Sequence, residues 1–164
     1  MLFHSLVALV IVQRIIELVV ARRNLKWALA RGGVEYGAEH YKYIVLLHIS
    51  FFLSLIIEYH LHPSLSPAWV LFILLYLAVQ VIRVWSIVTL GKHWNTRVIV
   101  IPDTELIQNG PYRYVKHPNY IVVALEIILL SLIFQAYVTA FAFSLLNFYL
   151  ITFVRIPVEN KALT

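Results

Sequence analysis

Cysteine is absent from this sequence, and charged residues are scarce. Without cysteine the chain cannot form a disulfide framework, a thiolate metal site or a thiol nucleophile. Charged residues make up 13% of the chain and hydrophobic residues 62%. A typical soluble domain is about a quarter charged and about half apolar. The composition therefore excludes a disulfide-rich or soluble globular class and indicates an integral membrane protein.

Metal-binding and secretory signals are missing as well. His40, His93 and His117 are not spaced as in H-x-x-E-H or a comparable motif, so no metal site is predicted. The N-terminal apolar run lacks the basic start and the A-x-A-like cleavage site of a secretory signal. We therefore interpret this run as a membrane anchor.

Apolar runs account for most of the chain. A membrane-spanning helix needs roughly 20 apolar residues, and the first, third and fifth runs are close to that length. The sequence predicts an all-α integral membrane protein with about five transmembrane helices, in a single domain over residues 1–164. The runs cover residues 2–20, 44–59, 68–90, 120–134 and 136–154.

The basic residues predict an orientation. Of the 13 Lys and Arg residues, all except Arg14 and Arg83 lie in residues 21–43, 91–119 and 155–164. A five-helix topology places these three regions on one side, which the positive-inside rule predicts to be the cytosol, with the N-terminus outside. Attraction to anionic membrane lipids accounts for the net charge of +5. Nucleic acid is therefore not predicted as a partner.

A polar stretch, "GPYRYVKHPNY" at residues 110–120, interrupts the apolar runs. Pro118 suits the first position of a helix, and His117 would then be its N-cap. The free N–H groups of that helix start, together with Arg113 and Lys116, favour an anionic ligand. A tyrosine-rich, basic stretch is equally typical of an interfacial belt that anchors a protein to lipid.

Ionisable residues also lie inside the apolar runs. Arg14 and Glu17 are three positions apart, Arg83 lies in the third run and Glu126 in the fourth. Charges at such depth face a partner or a wet cavity. We expect Arg83 and Glu126 at the base of an acceptor cavity, and a structural charge network is the alternative.

Two motifs resemble a known family. The stretch "LIQNGPYRYVKHPNY", followed after a predicted helical hairpin by "RIPVENKAL", is similar to the signature of the isoprenylcysteine carboxyl methyltransferase family, in particular its small bacterial members. The resemblance covers roughly residues 76–163. It implies S-adenosylmethionine as the cofactor, bound at the cytosolic face, with Arg155 as the catalytic and substrate-side arginine. The cofactor contacts that it implies are Leu106, Ile107, Tyr112, His117, Pro118, Asn119, Tyr120 and Glu159.

This sequence departs from the family pattern at two positions. Lys116 stands where arginine is usual, which keeps the charge but loses the planar guanidinium. Asn160 replaces the second acid of a Glu-Glu pair, which leaves Glu159 as the tail carboxylate. The resemblance divides the domain into N-terminal helices with a basic loop (1–67) and a methyltransferase-like, cofactor-binding core (68–164).

Three functions are compatible with these residues. The resemblance implies methyl transfer to a carboxylate or acidic hydroxyl of a lipophilic acceptor, such as an isoprenylcysteine or a long-chain alkylpyrone. Such an acceptor is already anionic, so the protein needs to align the reactants and exclude water rather than supply a strong base. A membrane sterol-type reductase that uses NADPH carries a similar "R-H-P-N-Y" stretch, and Asn119 fits it. The third compatible function is that of a non-enzymatic membrane transporter or assembly protein.

Overall fold

Apolar helices dominate the computed structural model, which describes residues 1–162. Positions 163 and 164 of the predicted core lie outside the described residues. The helices are α1 (Leu2–Leu29), α2 (Ala38–Leu61), α3 (Trp69–Leu90), α4 (Pro118–Ile133) and α5 (Tyr137–Tyr149), and a π-helix (Leu150–Arg155) connects α5 to α6 (Ile156–Ala162).

The predicted fold class, an all-α integral membrane protein, is confirmed. Within the described chain, 4 helical segments are long and apolar enough to cross a membrane. The fifth apolar helix, α4, has 16 residues and is shorter than a usual span. The 4 segments are Leu2–Leu29, Ala38–Leu61, Trp69–His93 and Tyr137–Ala162.

Two helices extend well beyond the apolar runs that predicted them. Helix α1 continues past residue 20 to Leu29, so that Arg22, Arg23 and Lys26 belong to the helix rather than to a loop. Helix α2 begins at Ala38 instead of residue 44. Hydropathy detects the part of a helix that lies in lipid, whereas Lys and Arg are good helix formers and extend their long side chains toward water.

A small antiparallel sheet joins two segments that the sequence analysis read as loops. Strand β1 (Val34–Tyr36) pairs with β2 (Val98–Val100), with Val34 opposite Val100. The sheet lies where α1 ends and α2 begins, and it packs against α6. We call the end of the molecule that contains this sheet and the start of α4 the basic end. The sheet ties the segment after α3 to the N-terminal half of the chain.

The opposite end of the molecule, which we call the far end, contains a cluster of packed aromatic rings. Phe3 of α1 stacks on Tyr59 of α2 with ring centroids 3.7 Å apart, and Phe134 meets both rings edge-on. The predicted hairpin between α4 and α5 also lies here. Glu58 accepts the backbone N–H groups of Val138 and Thr139 at 3.0 and 2.8 Å, which caps the start of α5.

The outer surface of the helices is apolar. Large aliphatic and aromatic side chains point away from the buried core along every long helix, as expected for a surface that contacts lipid rather than water. Examples with more than half of their surface exposed are Leu9, Ile16, Leu53, Leu74, Val88 and Phe141.

Candidate active site

The start of α4 forms one wall of the candidate site. His117 is the N-cap residue and Pro118 opens the helix, as predicted. The rings of His117 and Tyr120 stack with centroids 5.1 Å apart. Asn119 donates a hydrogen bond of 2.8 Å to the Tyr112 hydroxyl. This bond holds the preceding turn, Gly110–Arg113, against the helix.

Burial determines the protonation state of one hydroxyl in this wall. It raises the pKa of Tyr112 to about 12, although the hydrogen bond from Asn119 opposes the shift. The Tyr112 hydroxyl therefore stays protonated at neutral pH. It accepts from Asn119 and keeps its own hydrogen for a ligand.

The C-terminal helix brings two further predicted residues to this wall. Tyr120 donates its hydroxyl hydrogen to the Glu159 carboxylate and accepts a hydrogen bond of 3.1 Å from Arg155 Nε. His117 Nδ1 lies 3.6 Å from Glu159 Oε1. Residues from the two separate sequence motifs thus meet in one place.

The guanidinium of Arg155 is held at two of its three nitrogens. Nε donates to Tyr120, and Nη2 donates to the Thr96 carbonyl at 3.0 Å. Among residues 1–162, no side chain or carbonyl accepts from Nη1. Arg155 lines the cavity described next, so this nitrogen is available to a ligand.

A cavity of about 490 Å³ extends from this wall into the interior of the helices. Small-molecule sites usually measure about 300–1,000 Å³. Its basic end is polar. Its sides are apolar and come from α1 and α2, including Ile11, Ile15, Leu18, Ile44, Val45 and Phe52. Its deep end is polar again, with Arg14, Glu17, His48 and Arg83.

The deep end is built by an ion-pair network that links α1, α3 and α4. Arg83 contacts both oxygens of Glu126, at 2.8 and 2.5 Å, and Glu17 at 2.7 Å. Arg14 contacts Glu17 at 2.8 Å and Glu126 at 2.5 Å. Arg83 and Glu126 are only 5% and 4% exposed. The structural charge network considered from the sequence is present, and part of it faces the cavity.

Not every predicted site residue reaches the cavity. Tyr112, His117, Pro118, Asn119, Tyr120, Glu159, Arg155 and Arg83 line it. Glu126 lies behind it, beside a void of about 10 Å³. Leu106, which is 63% exposed, and Ile107 do not line it. They lie in residues 102–109, where the described chain forms neither helix nor strand, so no backbone pairing holds them at the site.

Some lining residues were not among the predicted site residues. Arg14 and Glu17, which the sequence predicted to face a partner or a wet cavity, line the cavity. His48 is a polar residue inside an apolar run, and the same rule would have identified it. Tyr41 and Thr96 carry no comparable signal. They reach the cavity where α2 begins and beside strand β2, and their side chains hydrogen-bond each other at 3.1 Å.

Comparison with known proteins identifies the family of this chain. The model of the isoprenylcysteine carboxyl methyltransferase family matches residues 69–164. The chain is 47% identical over 163 residues to the uncharacterized protein YpbQ of Bacillus subtilis, covering 99% of this chain and 96% of that protein. It is 29% identical over 169 residues to an uncharacterized protein of Haemophilus influenzae, covering 100% of this chain and 96% of that protein. No solved structure matches. The chain belongs to the isoprenylcysteine carboxyl methyltransferase family.

Proposed function

We propose that this protein is an integral membrane methyltransferase that uses S-adenosylmethionine and methylates a carboxylate or acidic hydroxyl of a lipophilic acceptor. The observation that carries the proposal is the convergence of His117, Tyr120, Arg155 and Glu159 on one cavity whose sides are apolar membrane helices. Such a cavity suits a water-soluble donor and a lipid-soluble acceptor.

The residues at the basic end fit the polar groups of the cofactor. Glu159 is a carboxylate that would hold a cationic group of the donor. The start of α4 carries free backbone N–H groups and the positive end of the helix dipole, which favour a carboxylate. Tyr112 and Asn119 add hydrogen-bonding groups. When bound, S-adenosylmethionine supplies an electrophilic methyl group on a sulfonium.

Arg155 would orient the acceptor. Its Nε and Nη2 are fixed by Tyr120 and the Thr96 carbonyl, so the direction of Nη1 is set before any ligand binds. A preorganised cation at an acceptor oxyanion aligns the nucleophile and needs little reorganisation. The apolar sides of the cavity would exclude water from the reacting groups.

The acceptor would enter from the membrane between α1 and α2. These helices are in contact at the far end through Phe3 and Tyr59. Nearer the basic end, Ile15 of α1 and Ile49 of α2 line the cavity and are also more than half exposed on the outer surface. We infer from this exposure that the cavity opens to the lipid between these two side chains. In this arrangement the basic end faces the cytosol, where the cofactor and anionic lipid headgroups are.

Calorimetry on the purified protein in detergent tests the cofactor. We expect heat of binding with S-adenosylhomocysteine and none with NADPH. Binding of NADPH alone would favour a reductase, and binding of neither would favour a non-enzymatic role. Incubation with labelled S-adenosylmethionine and a total lipid extract, followed by mass analysis of the labelled product, would then identify the acceptor.

A further inference from the structure

Two histidines face each other at the far end, away from the candidate active site. His4 lies in the first turn of α1 and His60 in the last turn of α2. Their Nε2 atoms are 3.4 Å apart. Both side chains lie in the exposed class, so solutes can reach the pair. Both residues precede the region matched by the family model, residues 69–164.

A backbone hydrogen bond fixes the tautomer of the His60 ring. His60 Nδ1 lies 2.7 Å from the Ile56 carbonyl oxygen, which can only accept, so Nδ1 carries a hydrogen. In the neutral ring Nε2 then has a lone pair that points at His4 Nε2. Without an ion, His4 must donate the hydrogen between the two rings. If His4 carries its hydrogen on Nδ1 instead, two lone pairs face one gap.

The gap has the dimensions of a metal chelate. Zinc–imidazole bonds are about 2.0–2.1 Å long, and two such bonds at a tetrahedral angle place the nitrogens about 3.3 Å apart. The observed separation is 3.4 Å. Histidine ligands commonly donate their other ring N–H to a backbone carbonyl, which fixes the tautomer for metal binding. His60 already does so.

The surrounding aromatic residues hold both rings in place. Phe3, beside His4, is 1% exposed and stacks on Tyr59, the neighbour of His60. The two histidine rings are themselves packed edge-on, with centroids 5.4 Å apart. The pair is therefore preorganised by the packed aromatic rings beside it, which lowers the ordering cost of binding.

We propose that His4 and His60 form a binding site for a divalent transition-metal ion of the zinc or copper type. Imidazole suits such ions. Among residues 1–162 no third His, Asp or Glu joins the pair. Water completes the coordination, and the ion exchanges with solvent. A bound ion connects the start of α1 to the end of α2.

Copper and zinc titrations of the full-length protein test this site. The protein is purified in detergent and any affinity tag is removed. We expect one Cu²⁺ per chain, nitrogen couplings in its electron paramagnetic resonance spectrum, and displacement of bound Zn²⁺ by Cu²⁺, because imidazole sites bind Cu²⁺ more tightly than Zn²⁺. His4→Ala and His60→Ala should each weaken Cu²⁺ binding at least about tenfold, because each removes one of two ligands. His62→Ala, two positions beyond His60, is the matched control and should bind as the wild type does.

Two results would overturn the proposal. One is a wild-type protein that binds neither ion stoichiometrically, which would leave only a hydrogen bond between the rings. The other is unchanged Cu²⁺ binding by both variants. Circular dichroism and gel filtration check that the variants fold. If an alanine variant misfolds, the corresponding glutamine variant is measured in its place, because glutamine is polar and close in size to histidine but lacks the imidazole ligand. S-adenosylhomocysteine binding is measured separately, and its failure would leave this test unaffected.

Discussion

The hydroxyl of Tyr120 connects the two halves of the candidate active site. It donates to Glu159 and accepts from Arg155, so a residue of α4 positions both charged residues of the C-terminal segment. Helix starts and chain ends are usually mobile. Here the start of α4 and the C-terminal segment restrain each other through these hydrogen bonds. The roles of Glu159 and Arg155 are nevertheless separable, because one is an anion beside the start of α4 and the other is a cation that lines the cavity.

Substitutions at these two residues should affect different steps. Glu159→Gln should weaken S-adenosylhomocysteine binding by about tenfold or more, because a charge-assisted hydrogen bond is worth roughly 1.5–3 kcal/mol. Arg155→Ala should leave that binding within about threefold and slow methyl transfer by roughly tenfold or more, since it removes a hydrogen-bond donor to the acceptor. Calorimetry measures the first effect and turnover of labelled cofactor the second.

Two control substitutions show whether the effects are specific to the site. Glu105→Gln and Arg22→Ala change the same residue types at exposed positions outside the cavity. They should alter neither binding nor turnover. If Glu159→Gln and Arg155→Ala behave like these controls, the C-terminal helix is not part of the active site.

Among the structural elements, the turn before α2 determines where the C-terminal helix lies. Gly37 has a φ of +64°, and a Cβ added there would lie 2.7 Å from Val158 Cγ1. The turn therefore packs directly against α6. The π-helix Leu150–Arg155 lies just before Pro157, whose missing N–H interrupts regular helical bonding. Instead of ending at the proline, the helix continues to Ala162.

Gly37→Ala should therefore displace α6 and weaken cofactor binding. The left-handed backbone costs an L-residue about 1–2 kcal/mol, and overpacking against Val158 adds about 1–3 kcal/mol. Gly32→Ala is the matched control. It has a φ of +79° but no atom within 4 Å of the added Cβ, so it carries the backbone cost alone. Thermal unfolding and S-adenosylhomocysteine binding distinguish them, and equal losses in both variants would contradict the packing role.

At the scale of the whole molecule, the ion-pair network connects three helices inside the membrane. Glu126 accepts from Arg14, Arg83 and Gln80, and it is 4% exposed. Removing one partner of a buried pair leaves an uncompensated charge. Glu126→Gln should therefore lower the free energy of unfolding in detergent by about 3–5 kcal/mol. Glu105→Gln should leave it unchanged, and a Glu126 variant as stable as this control would refute the network's structural role.

The lateral opening between α1 and α2 can be tested because the native chain has no cysteine. Ile49 lines the cavity and is 54% exposed, whereas Leu53, one helical turn further, is 56% exposed but does not line it. A bulky maleimide on I49C should slow methylation of the lipophilic acceptor by roughly tenfold or more, because it displaces the acceptor. The same label on L53C should leave methylation unchanged. S-adenosylhomocysteine should bind to both labelled proteins. Equal methylation rates of the two labelled proteins would place the acceptor's entrance elsewhere.

The sequence by itself determined the membrane class, the start of α4 and the family. Hydropathy is a property of a single segment, and the preference of proline for the first helical position is equally local. The family motifs are short and ordered along the chain, so they can be recognised without a structure. The ends of helices with charged last turns could not be predicted from hydropathy. Helix α1 continues to Leu29 because charged residues do not end a helix.

Only the tertiary structure decided which residues share the cavity. The pairing of β1 with β2, the facing of His4 and His60, and the contact of Arg14 with Glu126 join residues far apart along the chain, up to 112 positions in the last case. No local pattern encodes such a contact, since it depends on how whole helices pack. For the same reason Leu106 and Ile107, although they match the family motif, lie outside the cavity wall: among the described residues, no backbone hydrogen bond of either residue holds it there.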